Sequence, residues 1–236
     1  KPISMNRFPN GIEAQSFFQK DVDPDKIPAW LKTTEVFSES TSKTIDYLLC
    51  NDLPSLLYIV NLGSIEINPW LSTYKNPEKP QYAVLDLDPN GAEWHDTIDV
   101  ALTAKEILDK GDIPAFIKTS GSSGLHIFMN VAAKYDYQVV RDFVQFIAEL
   151  IHQVHPETTS LVRDPKKRQT IVAPYSVRPK PNATVSTPIL WEELNYDLSI
   201  QDFHIFNVYG RVTTIDDPWQ ELQTSKIDIK KALSKF

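Results

Sequence analysis

Between residues 82 and 155 the hydrophobic period switches three times between about two and about 3.6 residues, and this alternation limits the fold more than any other feature. YAVLDLD (82–88), PAFIKT (114–119) and LHIFMNV (125–131) are short apolar or alternating runs rich in β-formers, and each predicts a strand. Between the first two, Asp96 opens a helix with Val100, Ala104, Ile107 and Leu108 on one face and Gly111 to end it. After the third, a helix runs from Asp136, with Val140, Phe143, Val144, Ile147, Leu150, Ile151 and Val154 at helical spacing, and stops before Pro156. Outside this block Asp52 caps a helix with Pro54 in its first turn, and a last helix follows Asp217–Pro218. TIVAPYSV (170–177) and HIFNVYG (204–210) read as further strands. Residues 34–44, the most polar stretch, read as a loop between two halves of one domain. Interleaved strands and helices make the class α/β, with a mixed or antiparallel central sheet flanked by helices, and the absence of repeats or a Gly/Ser linker predicts a single domain over 1–236.

Charge and composition remove several function classes. Thirty-one acidic against 24 basic residues give a net charge of −7, so binding to nucleic acid would need a local basic patch. No apolar run reaches the ~18–20 residues of a membrane span and no signal-peptide core is present, so the expectation is a cytoplasmic protein that does not enter membranes. Cys50 is the only cysteine, which excludes an internal disulfide framework. The chain opens at Lys1 inside a patterned segment, which suggests a piece of something longer.

Four constellations can carry chemistry. In Asp86-Leu87-Asp88-Pro89, at a strand end, the two carboxylates project from one sheet face while Ala83, Leu85 and Leu87 enter the core. Such a pair is either solvated and inert or the oxygen half of a Mg²⁺ or Mn²⁺ site completed by substrate phosphates. The loop Lys118-Thr119-Ser120-Gly121-Ser122-Ser123-Gly124-Leu125-His126 holds two of only seven glycines, and its amides and hydroxyls suit an anion; the plain alternative is a hairpin turn with a half-buried histidine. Arg178, at a strand end between Val177 and Pro179, is a bidentate phosphate clamp or a surface ion pair. Of the neighbours Phe17 and Phe18, opposite strand faces place one in the core and leave the other as a stacking platform for a base.

In order along the chain, SMNRFPNGIEAQSFFQK, LLYIVNLGSIEINPWLS, YAVLDLDP, IKTSGSSGLHIFM and TIVAPYSVRPKPNATVSTPILWEEL resemble the polymerase domain of bacterial ATP-dependent DNA ligase D, a member of the archaeo-eukaryotic primase superfamily. That resemblance implies a primase-like fold and two-metal nucleotidyl transfer with Mn²⁺ or Mg²⁺. It makes Asp86 and Asp88 metal-binding catalytic carboxylates, and places Ser120, His126, Lys118 and Arg178 around the nucleoside triphosphate, with Phe17 and Phe18 stacked on nucleotide or template. The implied task is gap filling and end extension in non-homologous end joining, often with ribonucleotides. The implied partners are DNA ends (gapped or 3′-protruding), the end-binding protein Ku and an attached or separate ATP-dependent DNA ligase.

The chain departs from the family pattern at three places. Asn68 stands where the family has histidine before Pro-Trp, and Ser123 where its loop has lysine. Lys166-Lys167-Arg168 runs directly into Gln169-Thr170-Ile171, without the block that carries the family's third catalytic aspartate. The expectation is that a block between Arg168 and Gln169, and an N-terminal segment before Lys1, are missing from this sequence, and that Arg168 and Gln169 lie farther apart than one peptide bond. Rival readings are a D-x-D phosphohydrolase with Asp86 as nucleophile, a D-x-D glycosyltransferase, and a binding-only nucleic-acid domain with a weakened site.

Overall fold

The computed structural model of the protein describes residues 1–38, 42–89, 91–161 and 170–236. The Arg168–Gln169 junction therefore lies outside the described residues. Chain order is β1 (Ile3–Arg7), β2 (Phe17–Gln19), β3 (Thr33–Ser38), β4 (Lys43–Leu48), α1 (Leu53–Asn61), β5 (Ser64–Pro69), β6 (Tyr82–Leu87), α2 (Trp94–Lys110), β7 (Phe116–Thr119), β8 (Leu125–Asn130), α3 (Tyr137–Val154), β9 (Pro188–Ile189), α4 (Val208–Thr214) and α5 (Ile229–Leu233). The strands form a four-stranded sheet β6-β8-β7-β9, a three-stranded sheet β2-β1-β5 and the hairpin β3-β4, with every strand pair antiparallel.

One face of the four-stranded sheet is apolar because its strands alternate. Ala83 and Leu85 of β6, Leu125 and Ile127 of β8 and Ile117 of β7 join the buried faces of α2 (Ile98, Ala101, Ala104, Leu108) and α3 (Phe143, Ile147, Ile151) in one cluster. A Leu or Ile fully buried this way contributes about 1.5–3 kcal/mol, so α2 and α3 are held chiefly by this face. The opposite face carries Asp86, His126 and Lys118. A second cluster, Ile3, Met5, Val22, Leu31, Leu48 and Ile59, joins β1 to β4 and α1.

Residues 170–178 join the two sheets. Ile171 and Ala173 donate to the carbonyls of Pro69 and Ile67 on β5, and the Ile67 amide donates to Ser176 Oγ at 3.0 Å. The same segment also pairs with residues 184–186, through Tyr175 to Ser186 and Arg178 to Thr184. The continuous strand expected over 170–177 does not form. Pro174 lacks a ladder donor, and Tyr175 turns the chain at φ 62°.

Other elements also differ from their sequence reading. Of the polar stretch 34–44, residues 34–38 lie in β3 and 43–44 in β4, where cross-strand pairing satisfies the backbone of a hairpin with only Tyr47 and Leu48 buried. The run 204–210 is not a strand: Asn207 Oδ1 accepts the His204 amide and starts α4, leaving Phe206 84% exposed. Directly after Pro218 the chain makes a 3₁₀ turn, Gln220–Gln223, and the last helix, α5, starts only at Ile229 behind its cap Asp228. Helix α2 begins at Trp94 with Glu93 as its cap, and Asp96 closes the capping box instead of opening the helix. The caps at Asp52, Gly111 and Asp136 stand as read. Among the described residues no helix is long and apolar enough to cross a membrane.

Candidate nucleotide-binding and catalytic site

Strand register builds the site. Asp86 of β6 lies directly opposite His126 of β8, and His126 directly opposite Lys118 of β7, so the three form one row on the helix-free face. Directly opposed residues in a sheet sit with Cβ atoms about 5 Å apart, which makes the row a short path from carboxylate to ammonium.

Asp86 Oδ1 accepts from His126 Nε2 at 3.1 Å. His126 is 5% exposed, and its Nδ1 has no hydrogen-bond partner among the described residues. Burial, followed by the neighbouring charges of Lys118 and Arg178, holds its pKa well below the ordinary histidine value, so the unliganded ring is neutral at pH 7. Lys118 is fully buried, bonded through Nζ to Ser186 Oγ, with its ammonium 6.0 Å from the Phe128 ring centroid. Burial, then the Arg178 charge, pushes its pKa well below the usual lysine range. Lys118 therefore belongs to the site by position, while its amine faces Ser186 and not open solvent.

Beyond β7 the chain turns through the Ser-Gly loop. Ser120 Oγ accepts the amides of Ser122, Ser123 and Gly124 at 3.1, 3.2 and 3.0 Å, so the amides read as an anion cradle converge on a hydroxyl of their own loop. Both glycines are required by close approach. A Cβ on Gly124 would lie 2.1 Å from the Leu87 carbonyl oxygen and 3.1 Å from Asp88 Oδ1, so the loop is closed onto the acidic strand end. Gly121, at φ 68°, sits against the Arg178 side chain, with 2.8 Å from a built Cβ to Arg178 Cγ.

Arg178 Nη1 donates to the Ser120 carbonyl at 3.1 Å, and its Nε lies 3.4 Å from Glu66 Oε2. Glu66 is 8% exposed, and Asn68 Nδ2 donates to its other oxygen at 3.1 Å. The sequence reading passed over Glu66. The signal was present as alternation in β5: Ser64, Glu66 and Asn68 share one face, while Ile65 and Ile67 share the other.

Phe17 and Phe18 lie on the edge strand β2 and are 45% and 62% exposed, so neither enters the core. The Arg7 guanidinium lies 5.2 Å from the Phe17 ring centroid. Register puts Phe18 on the same side as Glu66, since Phe18 opposes Asn6 and Asn6 opposes Glu66. An edge strand of three residues has nothing packed over it, which is why both rings stay open.

Asp86 and Asp88 offer oxygen donors at one strand end, the donor type that hard divalent cations select. Among the described residues no group of three or more His, Cys, Asp or Glu side chains is placed to hold a metal.

An antiparallel sheet with carboxylates at the end of one strand, a Ser-Gly loop closing on them and a buried histidine and lysine in the row beside Asp86 defines a primase-like polymerase domain. The chain belongs to the LigD primase-polymerase domain family, whose profile matches residues 1–219. It is 28% identical to the multifunctional non-homologous end joining protein LigD of Pseudomonas aeruginosa over 252 aligned residues, covering 100% of this chain and 30% of that protein. It is also 28% identical to the bifunctional non-homologous end joining protein LigD of Bacillus subtilis, over 90% of this chain and 36% of that protein. The chain thus spans about a third of the length of these relatives. In structure it resembles the polymerase domain of Mycobacterium tuberculosis ligase D, solved in complex with DNA. The TM-score is 0.82 at 24% identity, covering 96% of this chain and 85% of that one, and it shows the same fold.

Proposed function

We propose that this domain is a template-directed nucleotidyl transferase that extends the 3′ ends of gapped or 3′-protruding DNA in non-homologous end joining. The observation that carries the reading is the arrangement on one sheet face: the Asp86 carboxylate at one end of the row, His126 bonded to it in the middle and Lys118 at the other end, with Arg178 held beside them on the Ser120 carbonyl. A triphosphate is a polyanion whose transfer asks for positioning and charge compensation more than covalent help. Arg178 presents a planar guanidinium to the phosphate oxygens, anchored by Nη1 on the Ser120 carbonyl. An arriving polyanion favours the charged forms of Lys118 and His126, which their burial otherwise suppresses. Asp86 and Asp88 would hold Mn²⁺ or Mg²⁺, which when bound activates the primer 3′-hydroxyl and stabilises the leaving pyrophosphate. Phe18 stacks a base of nucleotide or template on the same side of the β2 edge as Glu66.

The family resemblance extends the proposal to ribonucleotide preference, to Ku as the end-binding partner and to an attached or separate ATP-dependent ligase. The multifunctional and bifunctional relatives, three times longer than this chain, support the last of these. A binding-only domain is the second reading, favoured by the two-carboxylate donor set among the described residues. Primer extension on a gapped template with Mn²⁺ and nucleoside triphosphates tests the proposal. Extension that disappears in Asp86→Ala supports it, and binding of the gapped DNA without extension favours the second reading.

A further inference from the structure

We propose that Glu66 is a positioning residue for the incoming triphosphate, acting through Arg178; this rests on the function proposed above. A carboxylate as buried as Glu66 is costly unless its oxygens are compensated, and both are. Asn68 holds Oε1, and the Arg178 guanidinium faces Oε2. The brace is rigid on both sides. Asn68 lies two residues along the same strand face, and the bond from the Ile67 amide to Ser176 Oγ ties β5 to the segment that carries Arg178.

The arginine needs such a brace. Its neighbours Lys118 and His126 are cationic when charged, and the Arg178 charge disfavours the charged form of both. The Ser120 carbonyl holds Nη1 but supplies no net charge. Without Glu66, the cheapest response of the guanidinium is to swing away from the cluster, which is where the phosphates must arrive. Glu66 meets the Nε edge, and at 3.4 Å the contact is longer than the ~2.7–2.9 Å of a tight charged hydrogen bond. Nε also remains without a formal hydrogen-bond partner among the described residues. The carboxylate therefore orients the fork without competing for it. Among the described residues Nη2 makes no hydrogen bond, and it is free to take a phosphate oxygen.

The test measures ATP binding to the DNA-free protein by calorimetry, together with steady-state extension. Glu66→Gln keeps the shape and removes the charge. Its dissociation constant for ATP should rise about tenfold, with the nucleotide KM rising in step, kcat within about twofold of wild type and the KM for gapped DNA unchanged. Asn68→Ala, which loosens the brace but keeps the charge, should raise the ATP constant about threefold, and it carries the test if Glu66→Gln does not fold. In an Arg178→Ala background Glu66→Gln should add nothing. ATP affinity equal to or tighter than wild type in Glu66→Gln overturns the proposal, as does a full effect without Arg178. A wild-type protein that neither binds ATP nor extends a primer overturns the polymerase reading instead, so the two failures are told apart.

Discussion

Gly124→Ala is the sharpest test of the site as built, because the structure sets its magnitude. The added Cβ would lie 2.1 Å from the Leu87 carbonyl oxygen, where ordinary contact begins at 3.4 Å, a shortfall of 3.4 − 2.1 = 1.3 Å. The obstacle is backbone in the last ladder pair of β6 and β8, Leu87 opposite Leu125, so no side-chain rotation relieves it. Relief requires opening the strand end that carries Asp88, whose Oδ1 stands 3.1 Å from the same Cβ. Overpacking of this kind costs about 1–3 kcal/mol, and a backbone obstacle places the cost near the top of that range. For a chain of this size about 3 kcal/mol lowers the thermal midpoint by about 6–12 °C. A displacement of about 1 Å at a carboxylate that positions substrate costs about a hundredfold in rate. Calorimetry and single-turnover primer extension read the two effects separately. Gly210→Ala is the control: nothing lies within 4 Å of its Cβ and it sits inside α4, so the variant should gain about 0.5–1 kcal/mol with extension unchanged. A Gly124→Ala midpoint within about 2 °C of wild type, with extension within about twofold, would refute the closed approach of loop and acidic strand.

Asp86→Ala and Asp88→Ala should each reduce nucleotide addition to background while circular dichroism stays native, since neither side chain belongs to either apolar cluster; extension at the wild-type rate in either variant would remove the carboxylates from the chemistry. Arg178→Ala should raise the nucleotide concentration for half-maximal extension, and Arg178→Lys should restore it only in part because an ammonium cannot reproduce a two-pronged fork; an unchanged value in both would make Arg178 structural. Lys118 has a folded pKa well below its unfolded value near 10.5, so the unfolded chain binds more protons and stability must rise with pH between the two values and fall as pH drops. Urea midpoints measured from pH 7 to pH 10 should therefore climb less steeply in Lys118→Met than in wild type. Equal slopes would show that the buried amine does not contribute.

Where a single local rule decides the outcome, the sequence was sufficient. Alternation in YAVLDLD put Asp86 on the face opposite Ala83 and Leu85, which lie in the core, because a strand has only two faces. Asp52 and Asp136 announced their helices, because four unsatisfied amides at a helix start need an acceptor or a suitable flank. The five segments that resemble the family, taken in order, already pointed to the family whose profile matches residues 1–219. Where two rules competed, the sequence misled. HIFNVYG has the composition of a strand, but only a single bridge from His204 to Thr184 forms before the Asn207 turn prevails and α4 begins. Polar 34–44 has the composition of a loop, but residues 34–38, 43 and 44 find partners across a hairpin. Neither choice is written in the residues concerned, because each depends on whether a partner strand arrives.

The site divides along the same line. Sequence alone selected Asp86, Asp88, Ser120, His126, Lys118 and Arg178 as residue types able to handle metal and phosphate. It could not show that His126 is bonded to Asp86, that Lys118 is sealed against Ser186, or that the loop amides turn inward onto Ser120. Those outcomes follow from the register of β6 on β8 on β7, a property of pairing between segments up to about forty residues apart. Glu66 shows the limit most plainly. Its partner Arg178 is 112 residues away (178 − 66), and only the contact of β5 with residues 170–178 turns an unremarked glutamate into the counter-charge of the phosphate-facing arginine. A short stretch of chain determines which face a side chain takes, because that depends on its own backbone period. What the side chain meets there is decided by tertiary structure, because electrostatics and burial act through space and not along the chain.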